Sequence, residues 1–344
     1  MGSQSAILGC LLGTAAGDSI GLPREGLSRI RGSALFGEPP LSQQLLLGRG
    51  FCSDDTEHTI LTLLAIHEAK GSTTRFEQRL AWSFRWWLVR LPAGIGFATL
   101  RACAKLWLGI SSRRSGVWSA GAGPAMRSAI IGVCLEDDSV IREHVHIASR
   151  ITHRDPRAEC GALCVAFAAK ISAQHGGQID DPAKVPIRII DHVDHLLEDE
   201  LKGHLLTASR MLESRASPAD FAAAIGQARG VSGYVNHVVP VALYCWLASP
   251  GDFRTVVESS VCCGGDTDTV AAIAGGVAGA GTGSTSIPTE WLDSLAEWPC
   301  GVAWMTGAVT QPARLPWVRL LIRNLLFIPL VLAHGFRRIA PPYK

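Results

Sequence analysis

The sequence predicts an all-α protein, and three observations carry that prediction. Apolar residues recur at helical spacing along most of the chain. Strand signals are nearly absent: no alternating hairpin pattern occurs, and no Asn-Gly turn stands between β-branched runs. Glycine and proline gather between the periodic stretches, as in L-P-A-G-I-G at 91–96 and S-A-G-A-G-P at 119–124.

Taken in order, residues 5–17 (S-A-I-L-G-C-L-L-G-T-A-A-G) read as a helix of small residues. Ser53 has the side chain of an N-cap before D-D-T-E-H-T-I-L-T-L-L-A-I-H-E-A, and the acids behind it fall in a first turn, where the helix dipole favours them. Helical periodicity recurs over 76–90, 97–108, 140–150, 158–173, 183–203, 218–228, 236–248 and 253–262. The run after Asp268, V-A-A-I-A-G-G-V-A-G-A, has almost no polar face. It predicts a helix buried all round, with small residues that let neighbours come close. Residues 174–186 read as a loop. No repeat of fixed period stands out. No linker divides the chain before about residue 308, so 1–308 is expected to form one domain and 309–344 a basic, apolar extension.

Of the 344 residues, 47% are apolar and 18% charged, which predicts a sizeable core and excludes disorder as the dominant state. A net charge of +2 makes no case for a nucleic-acid surface. The charge is unevenly spread. Residues 310–344 hold Arg314, Arg319, Arg323, Arg337, Arg338 and Lys344 without an acid, which against +2 overall leaves about −4 on the rest. Ten cysteines lie mostly in apolar runs and form no C-x-x-C pair, so they read as reduced core thiols of a cytoplasmic protein, the vicinal Cys262 and Cys263 included. The start M-G-S-Q-S-A lacks the basic region of a secretory signal and misses the myristoylation pattern at residue 6.

The chemistry concentrates in two carboxylate clusters. G-G-D-T-D-T places Asp266 and Asp268 at the mouth of the apolar helix, and S-D-D-T at 53–56 repeats the pattern about 210 residues earlier. One carboxylate would cap a helix whose first N–H groups lack partners. Two, with Thr267 and Thr269 beside them, exceed that need. If the two helix starts meet, four carboxylates converge, and buried like charges demand a counter-charge. Mg²⁺ or Mn²⁺ suits oxygen donors from Asp, Ser and Thr, and four carboxylates leave room for two ions. Zinc fits less well, because no His or Cys accompanies either cluster at ligand spacing. Taken alone, Glu25 reads as a loop acid, Asp18 as a structural hydrogen-bonding residue near a helix end, and His153 as a helix-end histidine. The Glu57-His58 pair has no evident role. I-D-H-V-D-H-L-L-E-D-E at 190–200 reads as a solvated helix face rather than a metal site.

Along roughly 5–307, the chain resembles the ADP-ribosylglycohydrolase family. The resemblance is carried in order by A-I-L-G-C-L-L-G-T-A-A-G-D-S-I-G at 6–21, Glu25, S-D-D-T at 53–56, G-I-G-F-A-T at 94–99 and S-A-G-A-G-P-A-M-R at 119–127. It continues through I-T-H-R-D-P at 151–156, G-Y-V at 233–235, G-G-D-T-D-T-V-A-A-I-A-G at 264–275 and I-P-T-E-W-L at 287–292. It implies a single compact, orthogonally packed all-α domain with a cleft holding two Mg²⁺ or Mn²⁺ ions. The implied ligands are Ser53, Asp54, Asp55, Asp266, Asp268 and Thr269, with Ser53 standing where many relatives have Thr. Glu25 matches a family acid near the metals, and Asp55, Asp268 or Glu25 would guide the proton in catalysis. Gly94, Gly96, Gly121, Gly123, Met126, His153 and Tyr234 match positions that approach ADP-ribose. The glycines have their own logic, since bare backbone N–H groups can cradle a diphosphate. One position departs from the pattern: Ala122 replaces a common Asn.

The implied reaction is hydrolysis at ribose C1″ of a mono-ADP-ribosylated side chain, through an oxocarbenium-like transition state. Arginine is the favoured linkage, with serine-linked or O-acetyl-ADP-ribose as alternatives. A relative that binds without turnover, or a phosphohydrolase using the same two metals, is the remaining reading. The expected partner is an ADP-ribosylated protein or an ADP-ribose derivative, the expected state a monomer. W-V-R-L-L-I-R-N-L-L-F-I-P-L-V-L-A-H-G-F-R-R at 317–338 lies beyond the resemblance. Its charge-free run is too short to span a bilayer and holds Pro329. The segment 315–338 is expected to pack on the protein or a partner, or to lie on an anionic membrane.

Overall fold

The computed structural model describes residues 2–92, 94–311 and 313–339, with side chains through residue 336. Lys344 lies outside the described residues, as do the side chains of Arg337 and Arg338. Among the described residues the chain is helical, and β pairing is confined to isolated bridges.

Local capping starts many of the helices. α1 (Gln4–Gly21), α2 (Arg29–Phe36), α3 (Asp54–Ala69) and α4 (Thr73–Val89) each begin behind a serine whose hydroxyl accepts from a first-turn amide. α5 (Phe97–Trp107) precedes three short helices, α6 (Ser112–Ser115), α7 (Gly123–Met126) and α8 (Ala129–Cys134). Asp137 and Asp155 cap α9 (Asp138–Thr152) and α10 (Pro156–His175). α11 (Val185–Val193) and α12 (Asp199–Glu213) replace the single helix expected over 183–203. A 3₁₀ turn at Asp194–Leu196 and an extended Leu197 separate them, and the turn lets both Val193 and Leu201 be buried. α13 (Pro218–Ala224), α14 (Val235–Ala248), α15 (Phe253–Cys262), α16 (Thr267–Thr282), α17 (Thr289–Asp293), α18 (Val302–Thr310) and α19 (Trp317–Ile339) complete the order. The helices without a clear sequence signal are the short ones, where packing rather than periodicity holds the turn. All ten cysteines are free, and all but Cys262 are buried.

Glycines one turn apart set the centre of the molecule. Gly9, Gly13, Gly17 and Gly21 of α1 face Gly279, Gly275, Ala271 and Thr267 of α16, so the two helices run antiparallel in a fixed register. A Cβ on any of the four α1 glycines would sit 2.0–2.4 Å from a carbonyl oxygen of α16. Backbones this close cannot slide without collision. The end of α1, with Asp18, is therefore locked against the start of α16, with Asp268.

The tail does not hang free. α19 packs on the protein's own surface through buried Leu320 and Phe327 and, less expectedly, through polar residues. Arg323, Asn324 and His334 are buried. Arg323 donates to the Glu297 carboxylate at 2.7 Å and to the Cys52 carbonyl at 2.7 Å. Its other guanidinium nitrogen lies 3.6 Å from Glu57. Asn324 donates to the Arg90 carbonyl at 2.9 Å, and the His334 ring nitrogen bonds the Leu45 carbonyl at 2.6 Å. Glu57 thereby acquires a role: it accepts from the Trp87 indole and faces Arg323. His58 is wedged edge-on against Phe84 and Trp87.

Candidate metal centre and substrate cleft

Three helix termini meet at one point. α1 carries Asp18 in its last turn, α3 begins behind Ser53 with Asp54 and Asp55, and α16 begins behind Asp266 with Asp268 and Thr269. Asp18 accepts from the Ser53 amide at 2.9 Å, from the Thr56 amide at 3.2 Å and from the Thr56 hydroxyl. It thus satisfies the open N–H groups of α3, the structural task its sequence position suggests. Thr267 does similar work, donating its hydroxyl to the Gly21 carbonyl at 2.8 Å. Asp55 Oδ2 accepts from the Ser53 hydroxyl at 3.0 Å and the Thr269 hydroxyl at 3.4 Å.

The loop before Asp266 is threaded by backbone alone. Gly264 and Gly265 have φ of +72° and +80°, and Gly265 pairs with both Leu27 and Val231. A Cβ at Gly265 would lie 2.0 Å from the Val231 carbonyl oxygen, so only glycine passes there. The same pairing carries Glu25 to the mouth of the site, through the Gly26 amide donating to the Gly265 carbonyl at 2.7 Å.

One carboxylate oxygen from each of Asp18, Asp55 and Asp268 lies within 4.8 Å of the other two, and all three residues are buried. Asp55 Oδ1 and Asp268 Oδ1 are buried without a hydrogen-bond partner. Burial raises the pKa of both carboxyls well above the usual range, and neighbouring acids raise them further: Asp18, Asp54 and Asp266 for Asp55, Glu25, Asp266 and Asp55 for Asp268. Burial also raises Asp18 to about 7 and Asp266 to about 6, and it raises Asp54. Unpartnered, mutually repelling oxygens are costly unless a cation bridges them. The donors are all oxygen, which fits a hard divalent ion such as Mg²⁺ or Mn²⁺.

Above this floor opens a cleft of about 330 Å³. Ser53, Asp54, Asp55, Asp266, Asp268, Thr269 and Glu25 line its base and mouth. Gly94, Gly96, Gly121, Gly123, Met126 and His153 line the rest, as does Ala122. Gly121 and Gly123 are small for a reason the sequence does not show. A Cβ on Gly123 would stand 2.9 Å from the His153 ring, and one on Gly121 3.3 Å from its Nε2. The histidine therefore needs both glycines to present its edge to the cleft. Its Nδ1 is engaged by the Thr152 hydroxyl at 2.9 Å. Burial, and then Arg127, push its pKa down to about 3, so the ring is neutral at ordinary pH. Arg127, itself fully buried, braces the glycine loop by donating to the Gly123 and Ala148 carbonyls and to the Thr152 hydroxyl.

Tyr234 stands beside the cleft-lining Gly233 but is not itself in the lining. Its hydroxyl donates to Glu200 at 2.6 Å, and the Arg157 guanidinium lies 5.7 Å from its ring centre. Of the 190–200 segment, Asp191, Asp194 and His195 are exposed, and only Glu200 at its end reaches Tyr234. Two groups of lining residues are not among the sequence candidates, although the first stands within the glycine motifs themselves. Phe97, Thr99 and Ser119 adjoin the expected glycines, and Phe327, Val331 and His334 come from α19. Nothing local in the tail marks it as a wall of a cleft some 60 residues away from the nearest carboxylate motif in the chain.

A model of the ADP-ribosylglycohydrolase family matches residues 2–319. An uncharacterised protein of Archaeoglobus fulgidus is 30% identical over 84% of this chain and 90% of its own. The ADP-ribosyl-[dinitrogen reductase] glycohydrolase of Rhodospirillum rubrum is 25% identical over 84% of this chain and 89% of its own. ADP-ribosylhydrolase ARH3 of Homo sapiens is 25% identical over about half of each chain, 52% of this one and 55% of the other. Among solved structures, an ADP-ribosylglycohydrolase-related protein complex superposes with a TM-score of 0.58, covering 93% of this chain and 98% of that one at 22% identity, a likeness of fold.

Proposed function

The chain belongs to the ADP-ribosylglycohydrolase family and is a hydrolase; on that premise we propose that it removes mono-ADP-ribose from a modified protein side chain, arginine by preference. The observation that carries this reading is the pair of unpartnered oxygens, Asp55 Oδ1 and Asp268 Oδ1, at the floor of a cleft walled by bare glycine backbone. In the reaction the bond from ribose C1″ to the side-chain nitrogen breaks, water oxygen bonds to C1″, and the water's proton ends on the leaving group. Two Mg²⁺ or Mn²⁺ ions held by Ser53, Asp54, Asp55, Asp266, Asp268 and Thr269 would supply Lewis-acid polarisation and a water of lowered pKa.

The chain's own residues do the rest. Asp55, Asp268 or Glu25 takes the proton from the attacking water, since all three face the cleft. The backbone at 94–96 and 121–123 approaches the diphosphate, and Met126 packs beside it. Neutral His153 orients the nucleotide through its Nε2 edge rather than by charge. Phe327 and Val331 shield the reacting end from water.

The test is release of free ADP-ribose from arginine- and serine-ADP-ribosylated peptides, with Mg²⁺, Mn²⁺ or EDTA, for the wild type and Asp266→Asn. Metal-dependent release from the arginine peptide, lost in a folded Asp266→Asn, is the expected result. Full activity in that variant would overturn the metal assignment. Release from the serine peptide alone would move the linkage. Tight ADP-ribose binding with no release would favour a binding protein, with Ala122, buried in the glycine loop, as the residue to restore to Asn.

A further inference from the structure

The C-terminal helix buries Leu320 and Phe327 against the body, yet it also buries polar residues and leaves a second apolar side uncovered. Its polar residues Arg323, Asn324 and His334 face the body, while Ile322, Leu325, Leu326, Leu332 and Phe336 face solvent, at 45–73% exposure. An amphipathic helix on a globular surface normally keeps its polar residues to the solvent side. At its start Trp317 joins an exposed aromatic group on α4 and α5. Trp86 lies 6.4 Å from Trp317, 5.8 Å from Trp82 and 5.6 Å from Trp107, ring centre to ring centre. All four indoles are 39–53% exposed. The result is one apolar surface, edged by tryptophans, far too continuous to be scattered exposed side chains.

The free charge around it is mainly basic, since the neighbouring acids Glu77 and Glu297 are paired with Arg113 and Arg323. The two stretches of chain that build this surface, 78–135 and 298–344, contain no Asp or Glu. They carry Arg85 next to Trp86, exposed Arg101 on α5 and exposed Arg319 on α19. Such a face is not complementary to a second copy of itself, because a two-fold contact would set basic against basic. It is complementary to anionic lipid headgroups, where indoles sit at the interface and arginine reaches phosphate. Residues Trp317–Phe336 are long and apolar enough to cross a bilayer. They cannot do so from this position, because Arg323 is tied to Glu297 and Asn324 to the Arg90 carbonyl within the body.

We propose that the outward face of α19, together with Trp82, Trp86, Trp107 and Trp317, seats the protein on the surface of an anionic membrane, lying in the interface rather than spanning it. The inner side of the same helix lines the cleft with Phe327 and Val331, so seating would bring the cleft mouth close to the lipid surface. The proposal stands on this geometry and does not depend on the reaction assigned to the cleft.

The experiment is co-sedimentation of the full chain with vesicles of phosphatidylcholine alone or with phosphatidylglycerol, comparing the wild type with Leu325→Glu/Leu326→Glu. Both leucines are at least half exposed, so the fold tolerates the change, and thermal melting checks it. The wild type is expected to sediment with the anionic vesicles and at least about tenfold less with phosphatidylcholine. It should also be released at about 1 M salt, where the Debye length falls to about 3 Å. The double variant should lose partitioning by about tenfold or more while melting like the wild type. Absence of wild-type binding to the anionic vesicles would overturn the proposal, as would unchanged binding in the variant. A wild-type dimer in solution that the variant makes monomeric, without vesicle binding, would replace the membrane by a second copy of the chain.

Discussion

Replacing Gly17 by Ala tests the central register most directly. The new Cβ would stand 2.0 Å from the Ala271 carbonyl oxygen and 2.5 Å from its carbon, against about 3.4 Å for ordinary contact. The clash falls on backbone, so no side chain can swing away. The two helices must part by about 1.4 Å, the shortfall in that contact. Overpacking of this kind costs about 1–3 kcal/mol or more, partly offset by the roughly 1 kcal/mol that alanine gains over glycine within a helix. The expected outcome, with a backbone clash placing the cost at the upper end of that range, is a net loss of about 2 kcal/mol in chemical denaturation. Activity should fall further, because Asp18 adjoins Gly17 and the opposite helix end carries Asp268. A displacement of about 1 Å at a reacting centre can cost about a hundredfold in rate. Gly203→Ala is the control. That glycine lies within α12, is exposed and has nothing within 4 Å of a new Cβ, so the change should stabilise the protein by about 0.5–1 kcal/mol and leave ADP-ribose release unchanged. If Gly17→Ala were as stable and active as the wild type, the close antiparallel approach of α1 and α16 would be refuted.

Arg323→Met should destabilise the protein by about 3–5 kcal/mol by stranding the buried Glu297, and adding Glu297→Gln should recover most of it; simple additivity in that double-mutant cycle would deny the pairing. Asp268→Asn should raise the melting temperature in EDTA, since it removes one of several repelling buried carboxylates, yet abolish ADP-ribose release; a lowered melting temperature there would contradict the repulsion. The raised Asp266 carboxyl, at about 6, means the cation-free protein loses stability as pH climbs from about 4 through 6. The melting-temperature gain from Mn²⁺ should accordingly be larger at pH 8 than at pH 5, and a gain independent of pH would refute this. His153 titrates near 3 when folded and near 6.5 when unfolded, so the stability it contributes is complete above pH 6.5 and is lost as pH falls toward 3. His153→Gln should flatten that acid limb of the stability curve, as followed by denaturation at stepped pH.

The site was largely legible because its parts are local. Ser53 caps α3 through its own hydroxyl, the acids of the first turns sit where the helix dipole places them, and the small apolar run after Asp268 announces a buried helix. That the two carboxylate clusters meet is only a condition in the sequence, and the geometry supplies it: Asp55 and Asp268 place carboxylate oxygens within 4.8 Å of each other. The third partner was less legible. Asp18 reads as a structural acceptor, and it is one, but only the crossing of α1 over α3 shows that the same carboxylate stands beside the other two. The break between α11 and α12 was hidden for the opposite reason: Val193 and Leu201 are apolar at a spacing that one helix would also satisfy, and tertiary burial chose the kink.

By itself, then, the sequence determined the helical class, the caps and the chemistry of the oxygen donors, since each depends on neighbours within a turn or two. Tertiary structure alone decided the antiparallel register of Gly9, Gly13, Gly17 and Gly21 against α16, the placing of Glu57 opposite Arg323, and which apolar residues of α19 face outward. These join residues some 250 positions apart. No local preference selects such pairings; they follow from which backbones can approach closely enough to touch, and from which buried charge finds a partner when they do.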